Sequence, residues 1–169
     1  MTGKSIILMG VSGSGKSTIG ATIAKEIQAK FIDGDDLHPR ANIQKMASGQ
    51  PLNDNDRVPW LQRLNDAAYS LNHKSETGII VCSALKRRYR DLLRQGNENM
   101  VFIYLKGSFD VILQRLQARA GHFMPTELLK SQFEALEEPG ADEKDVIWID
   151  IDADIEGVVS RCIAALGCV

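Results

Sequence analysis

Eight consecutive residues, Gly10-Val11-Ser12-Gly13-Ser14-Gly15-Lys16-Ser17, hold the densest concentration of chemistry in the chain. They satisfy G-x-x-x-x-G-K-[ST], follow a short β-prone run at Ser5–Met9 and open a stretch with helical apolar spacing, which is the context this motif requires. The glycines permit a backbone path that turns successive N–H groups inward around an anion, and the following helix adds the partial positive charge of its N-terminus. The expectation is a bound nucleoside triphosphate, with Lys16 on the β- and γ-phosphates, the Ser17 hydroxyl on Mg²⁺ and Thr18 next in the same phosphate-binding turn. Without its strand and helix, the string would be only a glycine-rich turn.

A second group follows the next β-prone run, Lys30–Asp33. The segment Phe31-Ile32-Asp33-Gly34-Asp35-Asp36-Leu37-His38-Pro39 places three carboxylates and one imidazole at the carboxyl end of a strand. Phosphoryl transfer needs an in-line hydroxyl, a carboxylate to orient it and take its proton, and metal-bound phosphates. Asp35 has the chemistry of that base, and Asp33 could support Mg²⁺ through a water, with Gly34 letting the chain turn closely between them. Alternation along an extended segment would send Asp33 and Asp35 to one side and Asp36 to the other. An Asx-turn is the alternative use of the Asp33/Asp35 pair. His38 could likewise cap the helix that begins near Pro39 instead of meeting a ligand.

Cations suited to an anionic acceptor recur downstream. Arg57 follows the polar run Asn53–Asp56 and precedes Pro59-Trp60; it could clamp a carboxylate or form an exposed ion pair of little energetic value. In Lys86-Arg87-Arg88-Tyr89-Arg90, the four-residue spacing would put Lys86 and Arg90 on one helix face turned to an anion, with Arg87 and Arg88 solvated. Arg115 and Arg119 have the same spacing, and Gly121 then allows a turn into His122-Phe123-Met124-Pro125. The guanine-reading Asn/Thr-Lys-x-Asp string of a GTPase switch does not occur. Val146–Asp150 ends in an acid, as the metal-binding strand of a motor ATPase does, but it falls in the last strand, where an acid can simply end a sheet edge.

These groups need a scaffold that gathers them. Strands are expected at Ser5–Met9, Lys30–Asp33, Gly78–Ser83, Met100–Lys106 and Asp145–Ile151, with continuous apolar runs that suit burial on both faces of a parallel sheet. Helices are expected at Lys16–Gln28, Pro39–Ser48, Asp54–Asn72, Lys86–Arg94, Ser108–Arg119, Thr126–Glu137 and Ile155–Leu166, with Asn53 or Asp54 as a cap. The alternation gives an α/β fold with right-handed crossovers. Ligands of such sheets sit beyond the carboxyl ends of the strands, so the long connections 34–77 and 107–144 are placed to cover them.

At 169 residues the chain is one domain by size, and its 20 Lys+Arg against 22 Asp+Glu give a net charge of -2. That balance offers no basis for broad electrostatic binding to nucleic acid or anionic lipid. The longest apolar runs fall far short of the roughly 20 residues needed to cross a bilayer, and no signal-peptide pattern opens the chain, which points to a cytosolic protein. Cys82, Cys162 and Cys168 have neither disulfide-framework nor zinc-knuckle spacing.

Beyond the phosphate loop, long strings run in a characteristic order: Asp33 to Pro39, Asn42-Ile43-Gln44-Lys45-Met46, Gly49 to Arg57, Pro59-Trp60-Leu61, Cys82-Ser83-Ala84-Leu85-Lys86, Tyr89-Arg90-Asp91, Gly121-His122-Phe123-Met124 and Gln132 to Glu137. On these the chain resembles the small P-loop gluconokinase family, related to shikimate kinase, over nearly its whole length. The resemblance implies ATP- and Mg²⁺-dependent phosphorylation of D-gluconate at its 6-hydroxyl in a cytosolic, commonly dimeric enzyme. It implies a nucleoside-monophosphate-kinase-like three-layer fold with a five-stranded parallel sheet of order 2-3-1-4-5, a substrate-binding insertion at about 34–77 and a lid at about 115–137. It further implies Arg57 as the substrate arginine, and beside it His38, Lys86, Arg90, His122 and Gln132 are polar groups suited to a small hydroxylated anion. Arg115 would meet adenine or phosphate, and Arg119 would stabilise transition-state charge.

Overall fold

Each of the five apolar runs becomes a strand, and each lies parallel to its neighbours. A computed structural model describes residues 3–118 and 126–167. In chain order, β1 (Lys4–Met9) leads through the phosphate loop to α1 (Lys16–Ile27), β2 (Lys30–Asp33), a 3₁₀ turn (Gly34–Leu37), α2 (Arg40–Ala47), α3 (Asp54–His73) and β3 (Thr77–Val81). Then come α4 (Arg87–Arg94), β4 (Met100–Lys106), α5 (Phe109–Ala118), α6 (Thr126–Ala135), β5 (Val146–Asp150) and α7 (Ile155–Leu166). The predicted spans differ only at their ends; β3 stops at Val81, leaving Cys82 and Ser83 as loop.

The sheet order β2-β3-β1-β4-β5 is the expected one. Alternate residues divide two cores, as a sheet covered on both faces requires. Ile6, Leu8, Ile79 and Ile103 pack with Ile19, Ile112 and Val158 of α1, α5 and α7. Ile7, Met9, Ile80 and Phe102 pack with Leu61, Leu64 and Leu93 of α3 and α4. The phosphate loop therefore leaves the sheet from its central strand. Asp150 ends the edge strand β5, and its Oδ1 accepts from Asp152 N at 2.8 Å, so this acid closes a turn. The start of α3 is a capping box: Asp56 N donates to Asn53 Oδ1 at 2.8 Å and Asn53 N to Asp56 Oδ2 at 2.9 Å.

One residue expected at the acceptor site belongs instead to this framework. Arg90 is fully buried; its Nε and Nη2 donate to Glu143 at 2.8 and 3.0 Å, Nη1 to Ala84 O at 2.9 Å and Nη2 to Glu137 O at 2.9 Å. Arg94 Nη2 also donates to Glu143 Oε1 at 2.8 Å. Tyr89 and Leu93 are buried beside it on α4, so the face that carries Arg90 turns into the core. A buried guanidinium is tolerated because all these acceptors surround it.

Burial alone would raise the Glu143 carboxyl, but hydrogen bonds from Arg90 and Arg94 outweigh it and hold the group at about 2, against an ordinary 4.5. A depressed carboxyl contributes stability that is complete above its unfolded value and is lost as pH falls towards the folded one. The fold should therefore weaken between pH 4.5 and about 2. Glu143→Gln, which strands Arg90, should cost about 3–5 kcal/mol at neutral pH in urea unfolding. Coincident unfolding curves for the two proteins at neutral pH would contradict this.

Candidate active site

The carboxyl edge of the sheet opens into a cleft of about 980 Å³. The phosphate loop and the start of α1 contribute Ser12, Gly13, Gly15, Lys16, Ser17 and Thr18, and the segment after β2 contributes Asp33, Asp35 and His38. Arg57 and Trp60 enter from α3, Val81 to Ser83 from the end of β3, and Leu128 and Gln132 from α6.

The loop path demands glycine at Gly13, where φ is +84° and an added Cβ would lie 2.7 Å from Leu116 Cγ. Gly10, Val11 and Ser14 complete the loop, with the last two buried beneath the lining residues. Lys16 Nζ donates to Gly10 O at 2.9 Å and Val11 O at 3.1 Å, which lays the ammonium across the loop. Burial lowers its pKa to about 8, against the raising influence of Cys82, Asp35 and Asp33. An arriving phosphate would push it back up. Ser12 N donates to Gln132 Oε1 at 3.0 Å, so α6 reaches the loop directly.

Across the cleft, Asp33 Oδ1 accepts from Asp35 N at 3.1 Å and starts the 3₁₀ turn. Strand alternation is therefore not what aims Asp35; the Asx-type turn does so, and both carboxylates still line the cleft. Gly34 is essential to this turn, because a Cβ there would lie 2.3 Å from Val81 O. The Asp35 side chain is 84% exposed, open to a ligand. His38 is buried, stacks on Trp60 with ring centroids 4.3 Å apart, and sets Nε2 3.9 Å from Asp35 Oδ1. Burial lowers its pKa, with Asp35 opposing and Arg57 reinforcing the shift, which favours the neutral ring.

Arg57 Nη1 donates to Leu52 O at 3.0 Å and to the Tyr89 hydroxyl at 3.4 Å. Among the described residues it makes no ion pair, which leaves its charge for an anion in the cleft. The Ser17 hydroxyl and Asp33 carboxylate are hard oxygen donors in the same space, and they suit Mg²⁺. No group of three or more His, Cys, Asp or Glu able to hold a metal occurs among the described residues, so a cation here would take its other ligands from phosphate and water.

The chain is similar to known proteins over nearly its whole length. The shikimate kinase family profile matches residues 12–166. The thermosensitive gluconokinase of Escherichia coli (strain K12) is 62% identical over 162 residues, spanning 96% of this chain and 87% of that one. The chain belongs to the gluconokinase family. The thermoresistant gluconokinase of the same organism is 61% identical over 160 residues, spanning 95% of this chain and 91% of that one. The crystal structure of a gluconokinase from Sinorhizobium meliloti 1021 superposes with a TM-score of 0.87 at 43% identity, covering 97% of this chain and 91% of that one.

One further expectation needs correction in this gluconokinase-family chain. Lys86 caps α4 rather than lying within it, and its Nζ donates to Asp54 Oδ1 at 3.0 Å, outside the cleft. Asp54 also accepts from the Tyr89 hydroxyl and from Arg88; the Tyr89 and Lys86 hydrogen bonds hold its carboxyl below the usual range. Lys86 thus fastens α3 to α4. Arg115, expected at adenine or phosphate, has its Nη2 donating to Ile151 O and, at 2.9 Å, to Ala153 O, which ties α5 to the loop after β5. Arg119 and His122 lie outside the described residues. Gln132 lines the cleft but engages the Ser12 amide.

The structure also adds Trp60, Met46 and the run Gly49–Leu52 to the lining. Trp60 is buried, and its indole N–H donates to Gly34 O at 2.8 Å and braces the acidic turn. The Gly49-Gln50-Pro51 turn beside the acidic segment was the available signal for the rest.

Proposed function

We propose that this chain transfers the terminal phosphoryl group of ATP to the 6-hydroxyl of D-gluconate, giving 6-phosphogluconate and ADP. The observation that carries this reading is that the phosphate loop and an acceptor half built from Asp35, His38 and Arg57 open into one cleft. Arg57 supplies a guanidinium for the sugar-acid carboxylate, and the neighbouring polar groups meet the hydroxyls. Asp35 orients the acceptor hydroxyl and takes its proton as the oxygen bonds to phosphorus and the bond to the ADP oxygen breaks. The loop amides and Lys16 stabilise charge on the transferring group. Mg²⁺ supplies neutralisation of phosphate charge when bound; Ser17, with Asp33 through a water, would hold it.

In this reading 34–77 is the acceptor-binding insertion and 115–137 the lid that excludes water and limits ATP hydrolysis. Arg119 is assigned there to transition-state charge and His122 to the acceptor side. A cytoplasmic homodimer is the assembly that the family resemblance favours, and no helix among the described residues is long and apolar enough to cross a membrane. Sedimentation of the purified chain tests the dimer.

A coupled ADP-release assay with gluconate, other aldonates, shikimate and nucleoside monophosphates tests the reaction. Gluconate should be the preferred acceptor. Turnover of shikimate or a nucleotide with none of gluconate would overturn the reading, as would ATP binding without any phosphorylated product. Arg57→Ala should raise KM for gluconate about 10- to 100-fold, the loss of a hydrogen-bonded charge pair, with little change in KM for ATP. An unchanged gluconate KM would remove Arg57 from the carboxylate site.

A further inference from the structure

One side-chain amide settles which nitrogen of His38 carries the proton. Asn42, on α2, is only 4% exposed, and its Nδ2 lies 3.0 Å from Asp56 O and 3.2 Å from His38 Nδ1. A backbone carbonyl only accepts, so the Asn42 atom against Asp56 O is the NH₂ group. The same NH₂ faces Nδ1, which must then be the acceptor. In a neutral imidazole the proton consequently resides on Nε2.

The surroundings leave the ring little freedom to choose otherwise. His38 lies on Trp60 with planes 16° apart, and Trp60 is itself held through its N–H to Gly34 O. Asp56, whose carbonyl fixes the amide, is locked by the capping box and by Lys45 Nζ at 2.6 Å from its carboxylate. The nitrogen that remains is Nε2, at the cleft beside Asp35.

We propose that Asn42 is a positioning residue that holds His38 as the Nε2–H tautomer, so that His38 gives a neutral hydrogen bond to an oxygen of the acceptor and leaves proton removal to Asp35. An Nε2–H presents no lone pair to the cleft, so His38 cannot take the substrate proton. The ionised Asp35 only accepts and His38 only donates, so the pair reads hydroxyl groups from both sides. An acceptor lacking the oxygen that meets His38 would leave a polar N–H unpaired and be rejected. The substrate part of this inference rests on the reaction proposed above; the proton assignment does not.

Nitrogen NMR of the full chain carrying ¹⁵N-labelled histidine tests it. The sequence has three histidines, and loss of one pair of signals in His38→Gln assigns that of His38. The wild-type signals at neutral pH should be pyridine-type for Nδ1 and pyrrole-type for Nε2. The reverse pattern would overturn the proposal, whatever the variants do. Asn42→Asp, which replaces the donor by an acceptor, should move the proton to Nδ1 and lower kcat/KM for gluconate about tenfold, with KM for ATP unchanged. His38→Gln, which keeps an N–H donor, should retain about tenfold more activity than His38→Met. A folded Asn42→Asp with wild-type signals and full activity would refute the role of Asn42. An Nε2–H signal without turnover of gluconate would overturn the substrate reading alone.

Discussion

Asp35→Asn should lower kcat for gluconate phosphorylation by about 10²- to 10⁴-fold, the range for removal of a positioned general base. The amide keeps the size of the carboxylate and can still accept a hydrogen bond from the acceptor hydroxyl, but it cannot take the proton that must leave as the new bond to phosphorus forms. The side chain is 84% exposed, and the turn that places it depends on its backbone N–H rather than on its carboxylate. The variant should therefore fold with a near-wild-type thermal midpoint and bind ATP normally. Asp36→Asn is the control, since Asp36 is not among the lining residues and should leave kcat unchanged. A kcat for Asp35→Asn within about threefold of wild type would withdraw the base assignment.

Lys16→Met should cost about 10²- to 10³-fold in kcat, comparable to removal of one preorganised donor from a developing anion. It also removes hydrogen bonds to Gly10 O and Val11 O, so a circular-dichroism melt must accompany the kinetics. The wild type offers an independent reading of the same group. Burial sets the Lys16 ammonium at about 8 in the unliganded protein. Because the protonated form attracts phosphate, kcat/KM for ATP should be full below that value and decline as pH rises through it. In the bound complex the phosphates favour the charged form, so kcat should hold to higher pH. A kcat/KM for ATP that stays level across about pH 8 would contradict this picture.

Local chemistry was well encoded in the sequence, and long-range pairing was not. The loop glycines, the Asn53 cap of α3 and the apolar strand runs act within a few residues, and each reads correctly. So do Asp33 and Asp35 as joint lining residues, and of the two backbone paths open to them it is the Asx-type turn, not extended backbone, that follows β2. Lys86 and Arg90 lie outside the cleft for a different reason. Four-residue spacing reports that two groups share a helix face, but not which way the face turns. Arg90 turns inward because Glu143 waits there, and Arg115 meets carbonyls beyond β5. Asn42 stands four residues from His38, but spacing does not supply its other partner, the Asp56 carbonyl on α3, which meets the amide only in the folded chain.

The all-parallel sheet also imposes an order in time. A hairpin strand can pair as soon as a few more residues exist, but β1 has no such neighbour. Ser5 sits beside Gly78 on one side and Met100 on the other, so the strand that launches the phosphate loop must wait for nearly half the chain before its first partner exists and for more than half before its second. Until then Ile6 to Met9, all buried in the finished protein, form an apolar edge without partners. Loop closure over such separations is slow and exposes the chain to aggregation. The arrangement that centres the nucleotide site therefore leaves its founding strand, the first of the sheet to be synthesised, unpaired until β3 and β4 follow it.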